Sequence, residues 1–341
     1  MNKNEEDEYT ILLNKAKLDI EATPYIEETD TKKIVRLAKY QAKISTILIT
    51  LAILLLLTPL LTLCSYLYYG TGDRANELLD VTKNIVYVTE PNTTVESGID
   101  ARIGFFSMDA TFNTLKRVGK QDVRSEEVSV HFTMNQPTSV LRKPQSNSIS
   151  LNGIPPFIYP YNKITIAQSA EWEVLNGLPS GTVAELYISL DSLYSPEEVE
   201  RQFSKNMDTV WFAVDTGVES SLASGEGERI KVPLGYPAHP DSNYRSPFFS
   251  GKFIGKASSE GNESVFLEII EQMTHHQEVL SEMTPYKSIS ISERSAYLQQ
   301  TGVQIYGLVV TGPVDALRNL KNNAMVRIIK VGEVELWNWH S

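Results

Sequence analysis

The pattern of apolar and polar residues contains a long uncharged run over residues 46–69, which reads TILITLAILLLLTPLLTLCSYLYY. Because an α-helix rises 1.5 Å per residue, a run of this length crosses the hydrocarbon core of a bilayer, which is about 30 Å thick. It is too long, and begins too far from the N-terminus, for a secretory signal peptide. We therefore predict one transmembrane helix, with Tyr66, Tyr68 and Tyr69 at a membrane–water boundary.

The segment before this run, residues 1–31, holds a short amphipathic pattern over 7–22, which the dipeptide Thr23-Pro24 ends. Five apolar residues at spacings i, i+3, i+4, i+7 and i+11 share one face of the predicted helix: Tyr9, Leu12, Leu13, Ala16 and Ile20. So short a helix is marginal alone in water, so we expect the face to fold against a partner. The alternatives are a helix on the membrane surface, which the slightly acidic polar side disfavours, and a frayed tail.

Residues 32–45 form a basic segment directly before the apolar run. Its basic residues are Lys32, Lys33, Arg36, Lys39 and Lys43, whereas the comparable stretch after the run holds Arg74 and Lys83. Lysine and arginine are retained on the cytoplasmic side, which predicts a cytoplasmic N-terminus and an extracellular C-terminal part. The basic segment should also attract anionic lipid headgroups of the inner leaflet.

The remaining chain has the mixed patterns of an α+β ectodomain. We predict a helical or extended stalk over 70–98, a first part of the ectodomain over 99–163, and a C-terminal α+β domain over 164–341. Strands are predicted at 128–132, 182–190, 210–214 and 305–310, a long helix at 263–283, and a hairpin at 325–339 turning near Gly332. Ser195, Pro196 and Glu198 have the spacing of a capping box, and residues 139–161 have the composition of a loop or of a boundary between lobes.

The net charge and the single cysteine limit the possible partners and the way in which the ectodomain folds. The formal net charge of −11 argues against direct binding to nucleic acid, because phosphate contacts need a basic surface. Cys64 is the single cysteine and lies inside the apolar run, so the ectodomain is expected to fold without a disulfide.

The residues contain no recognisable catalytic or metal-binding motif. The five histidines lack metal-ligand spacing, and there is no G-x-S-x-G, S-x-x-K or P-loop sequence. We therefore predict no metal, no cofactor and no enzymatic activity. The alternative is an extracellular envelope scaffold, or a wall-modifying enzyme with an unrecognised site, anchored by one span.

The order of the segments resembles a known family. A short acidic N-terminal segment precedes KKIVRLAKYQAK and one span, and the ectodomain contains VAELYISLDSLYSPEEVE and TVWFAVDTGVE and ends in VGEVELWNW. This order is similar to that of the membrane-bound sigma factor regulators of Gram-positive bacteria, which are anti-sigma factors for extracytoplasmic-function sigma factors. The resemblance implies that the segment before Lys32 holds the sigma factor. It also implies an ectodomain that senses envelope stress or a second membrane or envelope protein. The sequence lacks the Cys/His zinc motif that many other anti-sigma factors carry, so an anti-sigma factor with this sequence would not be of the zinc-binding type.

Overall fold

The computed structural model describes residues 3–22, 28–145, 157–161, 168–203, 206–222, 232–239, 259–284, 289–337 and 339. The chain divides into two compact units, Met1–Leu61 and Thr62–Ser341. The described residues of the first unit are helical, and those of the second unit form helices and strands. The predicted α+β architecture on one long apolar helix is confirmed.

The first unit contains helix α1, Lys3–Ala22, and most of helix α2, Glu28–Gly70. Helix α2 is longer than the predicted span because residues 28–58 include neither glycine nor proline, so nothing interrupts the helix before the apolar run. Pro59 lies inside the helix without ending it. The basic segment and the predicted span therefore form one continuous helix, which ends at Gly70.

The second unit holds two antiparallel sheets. In the first sheet the strand order is β1-β3-β4-β5, and β2 also pairs with β3. Its strands are β1 Thr93–Val95, β2 Asp100–Ile103, β3 Ser107–Val118, β4 Gln121–Thr133 and β5 Gln136–Pro144. In the second sheet the order is β10-β6-β9-β7-β8. Its strands are β6 Thr182–Tyr194, β7 Asp208–Val214, β8 Leu234–Pro237, β9 Ile305–Pro313 and β10 Val326–Leu336.

Helices cover and connect these sheets. They are α3 Arg74–Thr89, α4 Gln168–Gly177, α5 Pro196–Phe203, α6 Val218–Leu222, α7 Ser259–His275, α8 Gln277–Met283, α9 Ile291–Thr301 and α10 Val314–Arg318. The capping box at α5 is confirmed: the Ser195 amide donates to Glu198 Oε2 at 3.0 Å, and the Glu198 amide donates to Ser195 Oγ at 3.4 Å. Short 3₁₀ turns at Thr71–Asp73 and Asn319–Asn322 complete the described elements.

The strands predicted at 182–190, 210–214 and 305–310 are confirmed in the second sheet. Strands β6, β7 and β9 contain the predicted stretches, and every residue of those stretches is buried. The stretch predicted at 128–132 lies within β4, where buried and partly exposed residues alternate. A buried central strand is mostly apolar on both faces, whereas a half-buried strand alternates between apolar and polar residues. Both patterns could be recognised from the sequence because each lies within a few consecutive residues.

The segment 70–98, predicted as a stalk, is instead part of the core. Helix α3 buries Leu78, Val81, Ile85 and Tyr87. The indole Nε1 of Trp211 in β7 donates to the Tyr87 carbonyl at 3.0 Å, which ties the helix to the second sheet. The stalk prediction was wrong because the apolar side of this helix is covered by residues far away in sequence.

Two further predictions at the C-terminal side need correction. Residues 325–339 do not form a hairpin, because β10 is a single strand that pairs with β6 from Val326 to Leu336. The glycine that suggested a turn lies in a bulge between Val331 and Val334, where the pairing register shifts. The helix predicted over 263–283 is broken at His276, whose φ of −121° and ψ of 40° are not helical.

The break at His276 leaves the predicted apolar stripe in place. All its members are buried, on α7 and on α8: Phe266, Ile269, Ile270, Met273, Leu280 and Met283. Residues 139–144, predicted as loop, belong to β5, which pairs with β4. Of the rest of the predicted loop, 146–156 lie outside the described residues, while Phe157, Ile158 and Tyr159 are buried.

One hydrophobic core joins the two sheets. It includes Phe112 and Phe132 of the first sheet, Leu186 and Leu308 of the second, and Ile85 of α3. The predicted first part and the C-terminal domain therefore share a core. A smaller cluster on the other side of the second sheet is aromatic, with Phe157 stacked on Trp211 at a centroid distance of 5.9 Å.

Candidate partner-binding and membrane-anchoring site

Helix α1 carries the predicted partner-binding face. Leu12 and Leu13 are 62% and 41% exposed, and Tyr9 and Ala16 on the same face are also exposed. The side chain of Ile20 lies outside the described residues, although its backbone belongs to the helix. Exposing leucine side chains to water costs free energy. Binding in an apolar groove of a partner would remove these side chains from water.

Two apolar residues on nearly the opposite side of α1 were not predicted from the sequence as part of a binding surface. Ile11 and Leu18 are exposed. They are seven residues apart, which places them on one line along the helix, away from Leu12 and Leu13. Their i, i+7 spacing was the available signal, but the stronger stripe beside it concealed them. The helix therefore presents apolar surface on two sides, with polar residues between.

The basic segment lies in the first part of α2. Lys32, Arg36, Lys39 and Lys43 follow one another at i, i+4, i+7 and i+11, so the helix places them on one side, and Lys33 lies beside them. All five residues are exposed. A stripe of this kind, next to an apolar run, is suited to anionic lipid headgroups.

The apolar run is the part of α2 suited to a membrane. Among the described residues, α2 is the helix that is long and apolar enough to cross one. Two threonine hydroxyls near its start bond within the helix: Thr46 Oγ1 donates to the Ala42 carbonyl and Thr50 Oγ1 to the Thr46 carbonyl, both at 2.8 Å. Such bonds remove the cost of placing a polar group in hydrocarbon.

The last turns of α2 are built into the second unit. Ser65 and Tyr69 are fully buried. Ser65 Oγ accepts the Phe106 amide at 2.8 Å, and the Tyr69 hydroxyl donates to the Met134 carbonyl at 3.0 Å. The sequence placed the tyrosines at a membrane boundary, but it contained no sign that two strand connections would meet them there.

The second unit contains a buried charged cluster between α6 and α9. Glu219 and Arg294 form an ion pair at 3.3 Å, with side-chain exposures of 0% and 4%. Burial raises the pKa of the Glu219 carboxyl, and the Arg294 guanidinium and Thr216 partly offset this. Tyr297 donates its hydroxyl to Asp215 Oδ2 at 2.8 Å beside the pair. The cluster connects the end of β7 to α9 and thereby stabilises the second unit.

A second buried charged group joins the two sheets. Lys116 of β3 lies 3.8 Å from Glu185 of β6, and the Tyr187 hydroxyl donates to Glu185 Oε1 at 2.9 Å. Burial alone would lower the pKa of Lys116, but Glu185, Tyr187 and Glu333 outweigh it and the pKa is raised. Lys116 is therefore held charged as part of the structure.

A cavity of about 480 Å³ opens where the start of α3 meets the junction of α7 and α8. Its charged and histidine side chains are those of Arg74, Glu77, His275, His276 and Glu278. His276 Nε2 lies 3.3 Å from Glu77 Oε1 across this opening.

The histidines elsewhere in the described residues are paired with single carboxylates. His131 Nδ1 lies 2.5 Å from Asp109 Oδ1, and His239 Nε2 lies 2.5 Å from Asp208 Oδ1. Within the described ranges, no group of three or more His, Cys, Asp or Glu residues has a geometry that could hold a metal ion. Cys64 is exposed on α2.

The chain matches two family models in tandem. Residues 32–123 match the sigma factor regulator N-terminal model, and residues 175–333 match the sigma factor regulator C-terminal model. The first match contains the basic segment, the apolar run and α3, and the second contains most of the second sheet. Helix α1 precedes both matches.

A curated relative covers most of the chain. It is the probable anti-sigma-M factor YhdL of Bacillus subtilis (strain 168), which is 30% identical over 293 residues, 84% of this chain and 77% of the relative. No solved structure matches the chain. The predicted resemblance is thus confirmed, and the chain belongs to the family of sigma factor regulators.

Proposed function

We propose that this protein is a single-pass membrane anti-sigma factor that sequesters an extracytoplasmic-function sigma factor through its N-terminal segment, residues 1–31. Membership of the sigma factor regulator family supports a regulatory rather than a catalytic role. The relative in Bacillus subtilis is a probable anti-sigma-M factor, which supports a sigma factor as the partner. The observation that carries the proposal is the exposed apolar face of α1, on a segment that precedes a membrane helix.

The predicted face provides enough apolar surface for a specific complex. Burying one leucine side chain contributes roughly 1.5–3 kcal/mol, and each 1.4 kcal/mol changes a dissociation constant about tenfold. Leu12 and Leu13 together therefore account for about two or more orders of magnitude in affinity. Tyr9, Ala16 and Ile20 complete the contact along the same face.

The exposure of Ile11 and Leu18 on the other side refines the expected complex. A partner that contacted only the predicted face would leave these two side chains in water. We therefore infer that the sigma factor encloses α1 on two sides, as a cleft between two of its own segments would. The binding site would then compete directly with the contacts that the sigma factor makes with core RNA polymerase.

The proposed orientation places α1 and the basic stripe in the cytoplasm. Five basic residues precede the apolar run, and anionic headgroups of the inner leaflet would hold them there. A sigma factor bound to α1 would be kept at the membrane and away from DNA. The net charge of −11 supports a role without direct contact to nucleic acid.

The proposed extracellular part begins after the span and acts as the sensor. This extracellular part comprises residues 70–98, which include α3, the first part of the ectodomain at 99–163 and the regulator-like domain at 164–341. The cavity lined by Glu77 and His276 is the candidate place for a signal or for a second envelope protein, because it lies beside α3, the first helix after the span.

The decisive test replaces two leucines of α1. The double variant Leu12→Asp with Leu13→Asp places two charges in the predicted contact, which an apolar groove cannot solvate. We expect loss of the co-purifying sigma factor, at least a hundredfold weaker binding, and raised transcription of its targets. The protein should remain in the membrane, because α2 is unchanged.

A matched control carries the same charge change on the polar side of the helix. Thr10→Asp with Asn14→Asp also adds two negative charges to α1, between its two apolar sides, and should keep repression. If the leucine variant repressed like the wild type, α1 would not be the binding element, and the stripe from Lys32 to Lys43 would take its place. A structural scaffold or a wall-modifying enzyme would show no sigma factor and no transcriptional change with either variant.

A further inference from the structure

Two strand connections of the first sheet meet the last turns of α2. The β2–β3 connection contains Phe105 and Phe106, and the β4–β5 connection contains Met134 and Asn135. Phe106 and Met134 have φ angles of 50° and 55°, in the left-handed region that non-glycine residues seldom adopt. The two tight turns thus hold bulky apolar residues where glycine or asparagine would be less strained.

Hydrogen bonds fix these two tips to α2 and to each other. The Phe106 amide donates to Ser65 Oγ at 2.8 Å, and the Met134 amide donates to the Phe106 carbonyl at 2.9 Å. The Tyr68 hydroxyl donates to Asn135 Oδ1 at 2.9 Å, beside the bond from Tyr69 to Met134. The tips therefore have a defined height along the helix.

Apolar side chains project from the tips into solvent. Phe105 is 54% exposed and Met134 is 46% exposed. The ring of Phe105 contacts that of Phe106 edge to face, at a centroid distance of 5.6 Å. Leu63, Tyr66 and Leu67 of α2 are exposed as well, so the apolar surface of the helix continues to the tips.

The bond to Ser65 sets the tips close to the tyrosines at the end of α2. Ser65 lies four residues before Tyr69, which is about 6 Å along the helix axis. If Tyr66 and Tyr68 occupy the interface of the leaflet in which α2 ends, with Tyr69 buried against the Met134 carbonyl, the turn bonded to Ser65 lies at or below headgroup level. A phenylalanine and a methionine at that depth face acyl chains and headgroups rather than bulk water.

We propose that the tips of the β2–β3 and β4–β5 connections dock into the bilayer that α2 enters, with Phe105 and Met134 inserted into its interfacial layer. This inference rests on the proposed span but requires neither a given orientation nor a sigma factor. The second unit would then be attached to the membrane at three points, the end of α2 and the two tips, so that its approach to the lipid is determined by the first sheet.

The test measures the depth of three positions in the full-length protein. Phe105→Cys, Met134→Cys and Gln121→Cys are each made on a Cys64→Ser background, spin-labelled and reconstituted into vesicles of phosphatidylethanolamine and phosphatidylglycerol. Gln121 is the matched control because it lies at the other end of the β3–β4 pair, about 35 Å from the tips. The wild-type protein labelled at Cys64 is the reference inside the span.

The relaxation of each label by oxygen, which concentrates in lipid, is compared with its relaxation by a water-soluble nickel complex. We expect labels at 105 and 134 to respond more strongly to oxygen, like Cys64, and the label at 121 to respond more strongly to nickel. Melting curves check the fold, and Thr133→Cys, at the exposed end of β4, replaces Met134→Cys if that variant unfolds.

Two other results would overturn the proposal, and the Cys64 label distinguishes between them. Labels at 105 and 134 that match the label at 121, while Cys64 reports lipid, would leave the span in place and reject the docking. The tips would then be a surface for a protein partner. A Cys64 label that responds to nickel would reject the span and the docking together.

Discussion

Gly235 in β8 shows how the space around one residue determines its identity. A Cβ at this position would meet the carbonyl oxygen of Phe212 and the indole ring of Trp211, both in the neighbouring strand β7. Trp211 is fixed in turn by its bond to Tyr87 and by its stacking on Phe157. Because the Phe212 carbonyl is part of the strand backbone and the Trp211 ring is held in place, neither can move away from an added Cβ. Only glycine, which has no side chain, fits at this position.

We predict that Gly235→Ala destabilises the protein by about 3 kcal/mol or more, because overpacking against a strand backbone cannot relax as it does against a flexible side chain. Gly181→Ala is the matched control, since no atom lies within 4 Å of a Cβ built there. Chemical denaturation of both variants in detergent measures the difference. Equal stabilities would contradict the crowding seen around β8.

At the scale of elements, the short helix α6 is joined to α9 by charge. Glu219 and Arg294 are buried together, and Arg294 also donates to the Val232 carbonyl at 3.3 Å. Thr216 donates its hydroxyl to Glu219 as well, at 2.8 Å to Oε1. A buried charge is tolerated only while its partner is present, so each side chain depends on the other.

We expect Arg294→Leu to lower the free energy of unfolding by about 3–5 kcal/mol, since it leaves the Glu219 carboxylate buried without its counter-charge. The double variant Arg294→Leu with Glu219→Leu should recover most of that loss, because no uncompensated charge remains. Urea denaturation of the wild type, the single variant and the double variant gives the coupling. Simple additivity of the two substitutions would show that the pair is not coupled.

At the scale of the whole molecule, the proposed orientation is open to a direct test. Fusions after Ser45 and after Thr71 flank the apolar run and should report opposite sides of the membrane. Alkaline phosphatase is expected to be active only in the fusion at Thr71, and a cytoplasmic fluorescent reporter only in the fusion at Ser45. Cytoplasmic signals from both fusions would end the single-span assignment, and an exact reversal would place the second unit in the cytoplasm.

Family membership and the broad architecture were predictable because they rest on patterns local in sequence. A short stretch of sequence is enough to recognise each of these patterns, by its length or by its period. They are the apolar run of α2, the apolar face of α1 and the central strands β6, β7 and β9. The order of the segments, together with stretches such as TVWFAVDTGVE, then indicated the sigma factor regulators. The partner-binding role of the α1 face stays a prediction, because the proposed partner is a separate protein.

Other features were decided by contacts between residues far apart in the chain. Helix α3 is a core helix because Trp211 and the second sheet cover it, and Val326–Leu336 form the single strand β10 because β6 pairs with it on both sides of the bulge at Gly332. The turns at Phe106 and Met134 reach Ser65 and Tyr69 only once the first sheet has formed. The sequence by itself determined which segments are apolar and with what period, whereas the tertiary structure alone decided which surface covers each of them, because burial depends on neighbours that no local window contains.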